Sequence, residues 1–77
     1  MKTPDIVTTW TAVGVIFRGV TQEGDDWLYH NCRFEPWQEG LCEHSLAPAI
    51  IMAALENGLR VQDNDSGKFA GEPEGVV

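Results

Sequence analysis

Two stretches in the first half of the chain alternate between faces with a period of two, which is typical of β-strands. The first runs from Ile6 to Phe17 and is rich in the β-branched and aromatic residues that favour strands. The second runs from Trp27 to Phe34, and its expected core face carries Leu28, His30, Cys32 and Phe34. A polar connection with Gly24-Asp25-Asp26 lies between them, so the pattern predicts an antiparallel hairpin.

The pattern changes after the loop predicted for residues 35–40. Ser45 is a candidate N-cap, Pro48 falls in the first turn where no amide donor is needed, and Gly58 is a helix stop. These signals predict an α-helix over residues 46–57. Leu59 to Gln62 then predicts a short returning strand.

The predicted helix is apolar almost all the way round, which indicates burial or contact with a partner. A chain of 77 residues cannot enclose one helix on every side. We therefore expect a dimer face or partner face on this helix, unless its alanines simply tolerate solvent. The expected dimer face consists of Ile50, Ile51, Ala54 and Leu55.

These elements predict an α+β fold, with a small antiparallel sheet of two to four strands and one α-helix packed on one face. The length allows one domain at most, and we assign it to residues 1–62. Residues 63–77 are polar, acidic and rich in glycine, so we expect a disordered tail.

Charge narrows the choice of partners. The chain has 12 acidic and 5 basic residues and a net charge of −7. Such a surface repels phosphate, which argues against direct binding of nucleic acid, and it attracts basic protein surfaces. The simpler alternative is that the charge serves solubility.

Aromatic residues accompany the acids between residues 19 and 45. Aromatic side chains dominate binding hot spots, and carboxylates around them suit a basic groove on another protein. The alternative is that a small domain uses its tryptophans in the core. The expected partner-binding residues are Glu23, Asp25, Asp26, Trp27, Tyr29, Glu35, Trp37 and Glu39.

A mirror-symmetric set of metal-ligand residues occupies the same region: His30, Cys32, Cys42 and His44. Zinc takes four such ligands, so a structural zinc site is one alternative. The set lacks the usual Cys-x2-4-Cys knuckle, and same-face strand neighbours lie about 7 Å apart. A Cys32–Cys42 disulfide is another alternative. We favour two reduced thiols, two unrelated histidines and no cofactor.

Catalysis and membrane insertion find little support in the sequence. There is no glycine-rich phosphate loop, and so thin a domain rarely forms a substrate pocket. We therefore expect no enzymatic activity. No apolar run approaches the roughly 20 residues of a membrane span, and no secretion signal stands out, so we expect a cytoplasmic protein.

In size, charge and layout the chain resembles small phage-encoded inhibitors of bacterial nucleic-acid-handling machinery, including anti-CRISPR proteins. The resemblance rests on no residue motif and assigns no functional residue. It implies a protein target with a basic surface, met in the cytoplasm of the host cell. The alternative is a structural adaptor that forms a homodimer through its helix or is stabilised by zinc.

Overall fold

The computed structural model describes residues 3–35 and 37–71. It contains, in chain order, β1 (Ile6–Trp10), β2 (Val15–Gly19), α1 (Gln22–Cys32), β3 (Gly40–Cys42), α2 (Ala47–Glu56) and β4 (Val61–Asp63). The predicted α+β class is confirmed. The prediction of a single helix is wrong, because residues read as a second strand form α1.

The four strands form one mixed sheet in the order β3-β2-β1-β4. The β1–β2 and β2–β3 pairs are antiparallel, whereas β1 and β4 run parallel. A purely antiparallel sheet was therefore the wrong expectation. The parallel pair arises because the chain crosses the sheet between β1 and β4 instead of returning by a hairpin.

The strand predicted for residues 6–17 is in fact a hairpin that turns between β1 and β2. The Thr11 hydroxyl donates to the Gly14 carbonyl at 2.8 Å and accepts from the Gly14 N–H at 3.2 Å. Gly14 is needed here because a Cβ would lie 2.5 Å from the Cys42 carbonyl oxygen. The turn was missed because it uses a threonine side chain in place of an Asn-Gly or Asp-Gly pair.

Residues 27–32 of the predicted strand form the second half of α1. Thr21 caps this helix, with its hydroxyl accepting from the Gly24 N–H at 3.1 Å, and Glu23 and Asp25 place negative charge in the first turn. The helix ends at Arg33 in the left-handed conformation. The turn predicted at Gly24 is not formed, because Gly24 lies inside α1, where it packs so closely that a Cβ would strike the Asp5 carbonyl.

Helix α2 lies within one residue of its prediction at each end. Ser45 is not its N-cap: that position is Leu46, which makes no side-chain capping bond. Pro48 occupies the first turn as expected. Gly58 follows the helix with φ 80°, the left-handed conformation expected of a stop signal.

Both helices contribute to one hydrophobic cluster on one side of the sheet. Leu28 of α1 and Ala47 and Ala54 of α2 join buried strand residues there, which are Ile6, Val15, Phe17 and Val61. The strand register places these four residues on the same sheet face. The molecule thus has two layers, and the other sheet face carries no helix among the described residues.

The chain continues beyond β4 as a hydrogen-bonded hairpin over residues 63–71, which fall in the predicted tail. The Asp63 N–H donates to the Lys68 carbonyl at 2.9 Å, and the Ala70 N–H donates to the Val61 carbonyl at 2.8 Å. Residues 72–77 of the predicted tail lie outside the described residues. In the part of the chain that the structure describes, neither helix has the length and apolar character needed to cross a membrane.

Candidate functional site

The loop between α1 and β3 presents Trp37 to solvent on an unusual backbone. Its side chain is 56 % exposed, and its φ is 59°, in the left-handed region. A bulky residue rarely adopts this conformation, which costs about 1–3 kcal/mol and persists only where its surroundings enforce it. Something must therefore hold the Trp37 backbone in place.

Asp25 supplies that restraint. The Trp37 N–H donates to the Asp25 carboxylate at 2.7 Å, and Asp25 is only 4 % exposed. Asp25 lies in the first turn of α1, where the helix dipole favours a negative charge. The sequence predicts Asp25 as a partner-binding residue, but the structure buries it beneath the loop. Its carboxylate positions Trp37 and is closed to a partner.

The remaining predicted acids divide between two surfaces. Glu23 and Asp26 are exposed on α1, and Glu35 is exposed where the loop leaves the helix. Glu39 lies on the other side of the sheet, where it lines a small depression together with Arg18 and Asn64. Glu39 is thus separated from the acids of α1, because it shares this depression with residues of β1 and β2 whose side chains point away from the helices.

The aromatic residues Trp27 and Tyr29, both predicted as anchors for a partner, lie on different sides of α1. Tyr29 is 46 % exposed and makes an edge-to-face contact with His30, with ring centroids 5.2 Å apart. Trp27 is half-buried and packs against the hydrophobic cluster. Two helical residues two positions apart point to different sides, so Trp27 and Tyr29 do not form one patch.

We define the acidic–aromatic face as the exposed acidic, tyrosine and tryptophan residues between Gln22 and Trp37, a segment that also exposes the basic residue Arg33. Its members are Glu23, Asp26, Tyr29, Glu35 and Trp37. Asp25 and Tyr29 lie one helical turn apart, so the bond from Trp37 to Asp25 sets the loop against the flank of α1 that carries Tyr29. The Gln22 amide, also on this side, donates to Asp26 at 3.0 Å.

The four predicted metal ligands do not converge. His30 and Cys32 lie on α1 instead of a strand. His44 makes a 2.6 Å hydrogen bond through Nε2 to the Thr11 carbonyl, and its ring stacks on Trp10 with centroids 6.1 Å apart. Within residues 3–35 and 37–71, no group of three or more His, Cys, Asp or Glu side chains is placed to hold a metal ion. The zinc clasp considered from the sequence is not formed.

Cys32 and Cys42 are free thiols, both half-buried against the hydrophobic cluster. Burial raises the pKa of the Cys32 thiol, and the neighbouring Cys42 raises it further. Burial also raises the pKa of the Cys42 thiol, with an added contribution from Glu43. Raised pKa values keep both groups protonated at neutral pH, which makes them poor nucleophiles.

The residues expected to form a dimer face lie largely toward the sheet. Ala54 is 1 % exposed, and Ile50, Ile51 and Leu55 are half-buried against the hydrophobic cluster. Met52, by contrast, is 62 % exposed on the outer side of α2. The domain itself therefore covers much of the apolar surface of α2, and a homodimer stays a prediction.

The sequence did not reveal how Asp25 and Trp37 act together. They are 12 positions apart, and their bond joins a side chain to a backbone N–H. In the sequence, only the candidate cap Thr21 and the acids after it indicate that Asp25 lies in the first turn of a helix. No protein-family model, curated protein or solved structure matches this chain. A function must therefore be inferred from its own residues and geometry.

Proposed function

We propose that this protein is a non-enzymatic binding module that inhibits a partner protein by occupying its basic, nucleic-acid-binding surface. The contact is made by the acidic–aromatic face, with Trp37 as the apolar anchor. The protein would act in the cytoplasm, which is the host cytoplasm if a phage encodes it, in the manner of anti-CRISPR proteins.

The observation that carries the proposal is the exposed Trp37 held by the buried Asp25. A folded chain stabilises a strained backbone and buries a charge here, yet leaves the indole in solvent. Strain of this kind is common at binding sites, where it fixes a group in advance. An anchor fixed in advance loses little conformational freedom on binding, which strengthens affinity.

Charge supports the same choice of partner. Glu23, Asp26 and Glu35 are exposed on the same helix and loop as Tyr29 and Trp37, and the chain as a whole carries −7. Long-range attraction would speed encounter with a basic surface and would weaken as salt is added. The carboxylates would then take the positions that phosphates occupy on the partner.

The first experiment is site-specific photo-crosslinking in the cells that make the protein. One variant carries the photoreactive group at position 37. The matched control carries it at Val13, an exposed apolar residue in the turn between β1 and β2. We expect a defined protein to be captured from position 37 only, and duplex DNA or RNA to compete with its capture.

Charge reversals then test the contact with the captured protein. We expect Glu35→Lys and Trp37→Ala each to weaken binding at least about tenfold, a size typical of hot spots and paired charges. Glu39→Lys is the control, because Glu39 lies on the other sheet face. Equal capture from positions 13 and 37, or equal loss from Glu35→Lys and Glu39→Lys, would refute a contact through the acidic–aromatic face. Binding unaffected by nucleic acid and salt would refute the proposed mode of inhibition.

A further inference from the structure

The two edges of the sheet differ in how they are covered. Beyond β4, the hairpin over residues 63–71 pairs with the strand: the Ala70 N–H donates to the Val61 carbonyl at 2.8 Å, and the Asp63 N–H donates to the Lys68 carbonyl at 2.9 Å. At the other edge, β3 is the last strand, and no further strand pairs with it among the described residues. A free edge of this kind is a template for another extended chain.

The hydrogen-bond ladder directs the backbone of Leu41 toward this free edge. The Thr11 N–H donates to the Gly14 carbonyl at 2.8 Å, so these two residues form a hydrogen-bonded pair at the end of the β1–β2 ladder. Bonded and non-bonded pairs alternate along antiparallel strands, so Ile16 bonds toward β1 and away from β3. Leu41 is the β3 residue opposite Ile16, and its N–H and carbonyl therefore point away from β2. Leu41 thus offers one donor and one acceptor at the edge.

The side chains along this edge are apolar and acidic. Leu41 is 55 % exposed and lies opposite Ile16 on the sheet face that carries no helix. Glu39 and Glu43 are exposed on either side of β3, and Glu39 lines the same face as Ile16. Directly opposite residues on neighbouring strands interact through their side chains. An added strand would therefore need an apolar residue opposite Leu41 and groups that tolerate carboxylates on both sides of it.

The two glutamates argue against a second copy of this chain as the added strand. Antiparallel pairing of two β3 strands about Leu41 would set Glu39 of each copy opposite Glu43 of the other. Parallel pairing would set each glutamate beside its own counterpart. Like charges directly opposite one another destabilise a strand pair, and charged residues at sheet edges are a common device against self-association. A strand with lysine or arginine at these positions would instead be attracted.

We propose that the free edge of β3 binds an extended segment of another protein, in which a large apolar residue has a lysine or arginine two positions away on each side. The segment runs antiparallel to β3, the more stable arrangement, and exchanges backbone hydrogen bonds with Leu41. Its basic side chains pair with Glu39 and Glu43. The edge shares no residue with the acidic–aromatic face, so failure here leaves the proposed function standing, and the reverse also holds.

The test is a titration of the isotope-labelled full chain with a synthetic peptide, followed by nuclear magnetic resonance. The probe is acetyl-Thr-Arg-Val-Ile-Val-Arg-Thr-amide. One control peptide has glutamate in place of both arginines, and a second has a methyl group on the isoleucine nitrogen, which removes the donor for the Leu41 carbonyl. We expect saturable shifts and slower hydrogen exchange at Leu41 with the probe. Each control peptide should bind at least about tenfold more weakly, because it loses the charge pairs or a backbone hydrogen bond.

Two double substitutions of exposed acids complete the test. Glu39→Lys combined with Glu43→Lys should weaken binding of the probe at least about tenfold and should allow the glutamate peptide to bind. Glu23→Lys combined with Asp26→Lys makes the same change in net charge on α1 and should have a smaller effect. The methylated peptide keeps the test decisive if a variant fails to fold. Absence of saturable shifts, equal binding of the methylated peptide, or equal effects of the two double variants would each overturn the proposal.

Discussion

The two helices are specified in different ways. Helix α1 has a threonine cap, acids in its first turn and a left-handed end, and most of its surface is polar. Helix α2 has no side-chain cap, no acidic residue in its first turn and no basic residue in its last turn, and it is held by packing against the sheet. Local hydrogen bonds define α1, whereas burial defines α2. The helix that depends on local bonds is also the one that carries the candidate binding face.

The largest expected effect comes from Gly24→Ala in α1. Helix propensity alone predicts that alanine stabilises a helix interior by up to about 1 kcal/mol. Packing predicts the reverse, because the new Cβ would meet the Asp5 backbone. We expect a loss of about 3 kcal/mol in the free energy of unfolding, measured by urea denaturation. The control is Gly58→Ala after α2, where a Cβ meets nothing within 4 Å and only the positive φ opposes it. A stabilised Gly24→Ala variant would show that α1 is not held against Asp5.

Removing the Asp25 carboxylate should have the next largest effect. Asp25→Ala leaves the Trp37 N–H without its acceptor, and we expect a loss of about 2 kcal/mol in stability, since hydrogen bonds to charged groups contribute about that much. Asp25→Asn keeps an acceptor oxygen and should lose less. Indole fluorescence of Trp37, compared in a Trp10→Phe, Trp27→Phe background, should report a more mobile loop in Asp25→Ala only. If Asp25→Ala and Asp25→Asn lost the same stability and gave the same fluorescence, the Asp25 carboxylate would not be what restrains Trp37.

The capping difference between the helices can be measured directly. Thr21→Ala should lower stability by about 1 kcal/mol, because it removes the hydrogen bond to the Gly24 N–H. Ser45→Ala before α2 should change stability by less than about 0.5 kcal/mol, because Ser45 makes no capping bond. Thermal unfolding followed by circular dichroism measures the loss of stability in each of the two variants. A larger effect at Ser45 would reverse the contrast drawn between α1 and α2.

The thiols predict a smaller effect that depends on pH. The pKa of Cys32 in the folded chain lies above its ordinary value of 9.0. The folded state therefore keeps its proton where the unfolded state has lost it, so stability should fall as the pH rises above about 9. Urea denaturation between pH 7.5 and 10 measures this, and Cys32→Ala should flatten the decline. An identical decline in Cys32→Ala would assign the effect to other groups.

The same contrast explains why the sequence predicts α2 correctly but not α1. Apolar continuity, a first-turn proline and a following glycine predicted α2 within one residue of its bounds. The alternation in residues 27–34 suggested a strand, although the segment contains no β-branched residue, and the Thr21 cap outweighed it. The turn after β1 was missed because its signal is a single threonine side chain. The contact of Asp25 with Trp37 joins distant positions, so no local pattern could reveal it.

The parallel pairing of β1 with β4 also governs when the protein can fold during its synthesis. The Asp5 carboxylate accepts the Arg60 N–H at 2.8 Å, across 55 positions, and β1 then pairs with β4. A ribosome releases β1, β2 and α1 long before residues 61–63 emerge. One side of β1 therefore stays unpaired while the rest of the chain is synthesised. Contacts between residues so far apart in the sequence also form slowly. Folding is thus completed only after translation has passed β4.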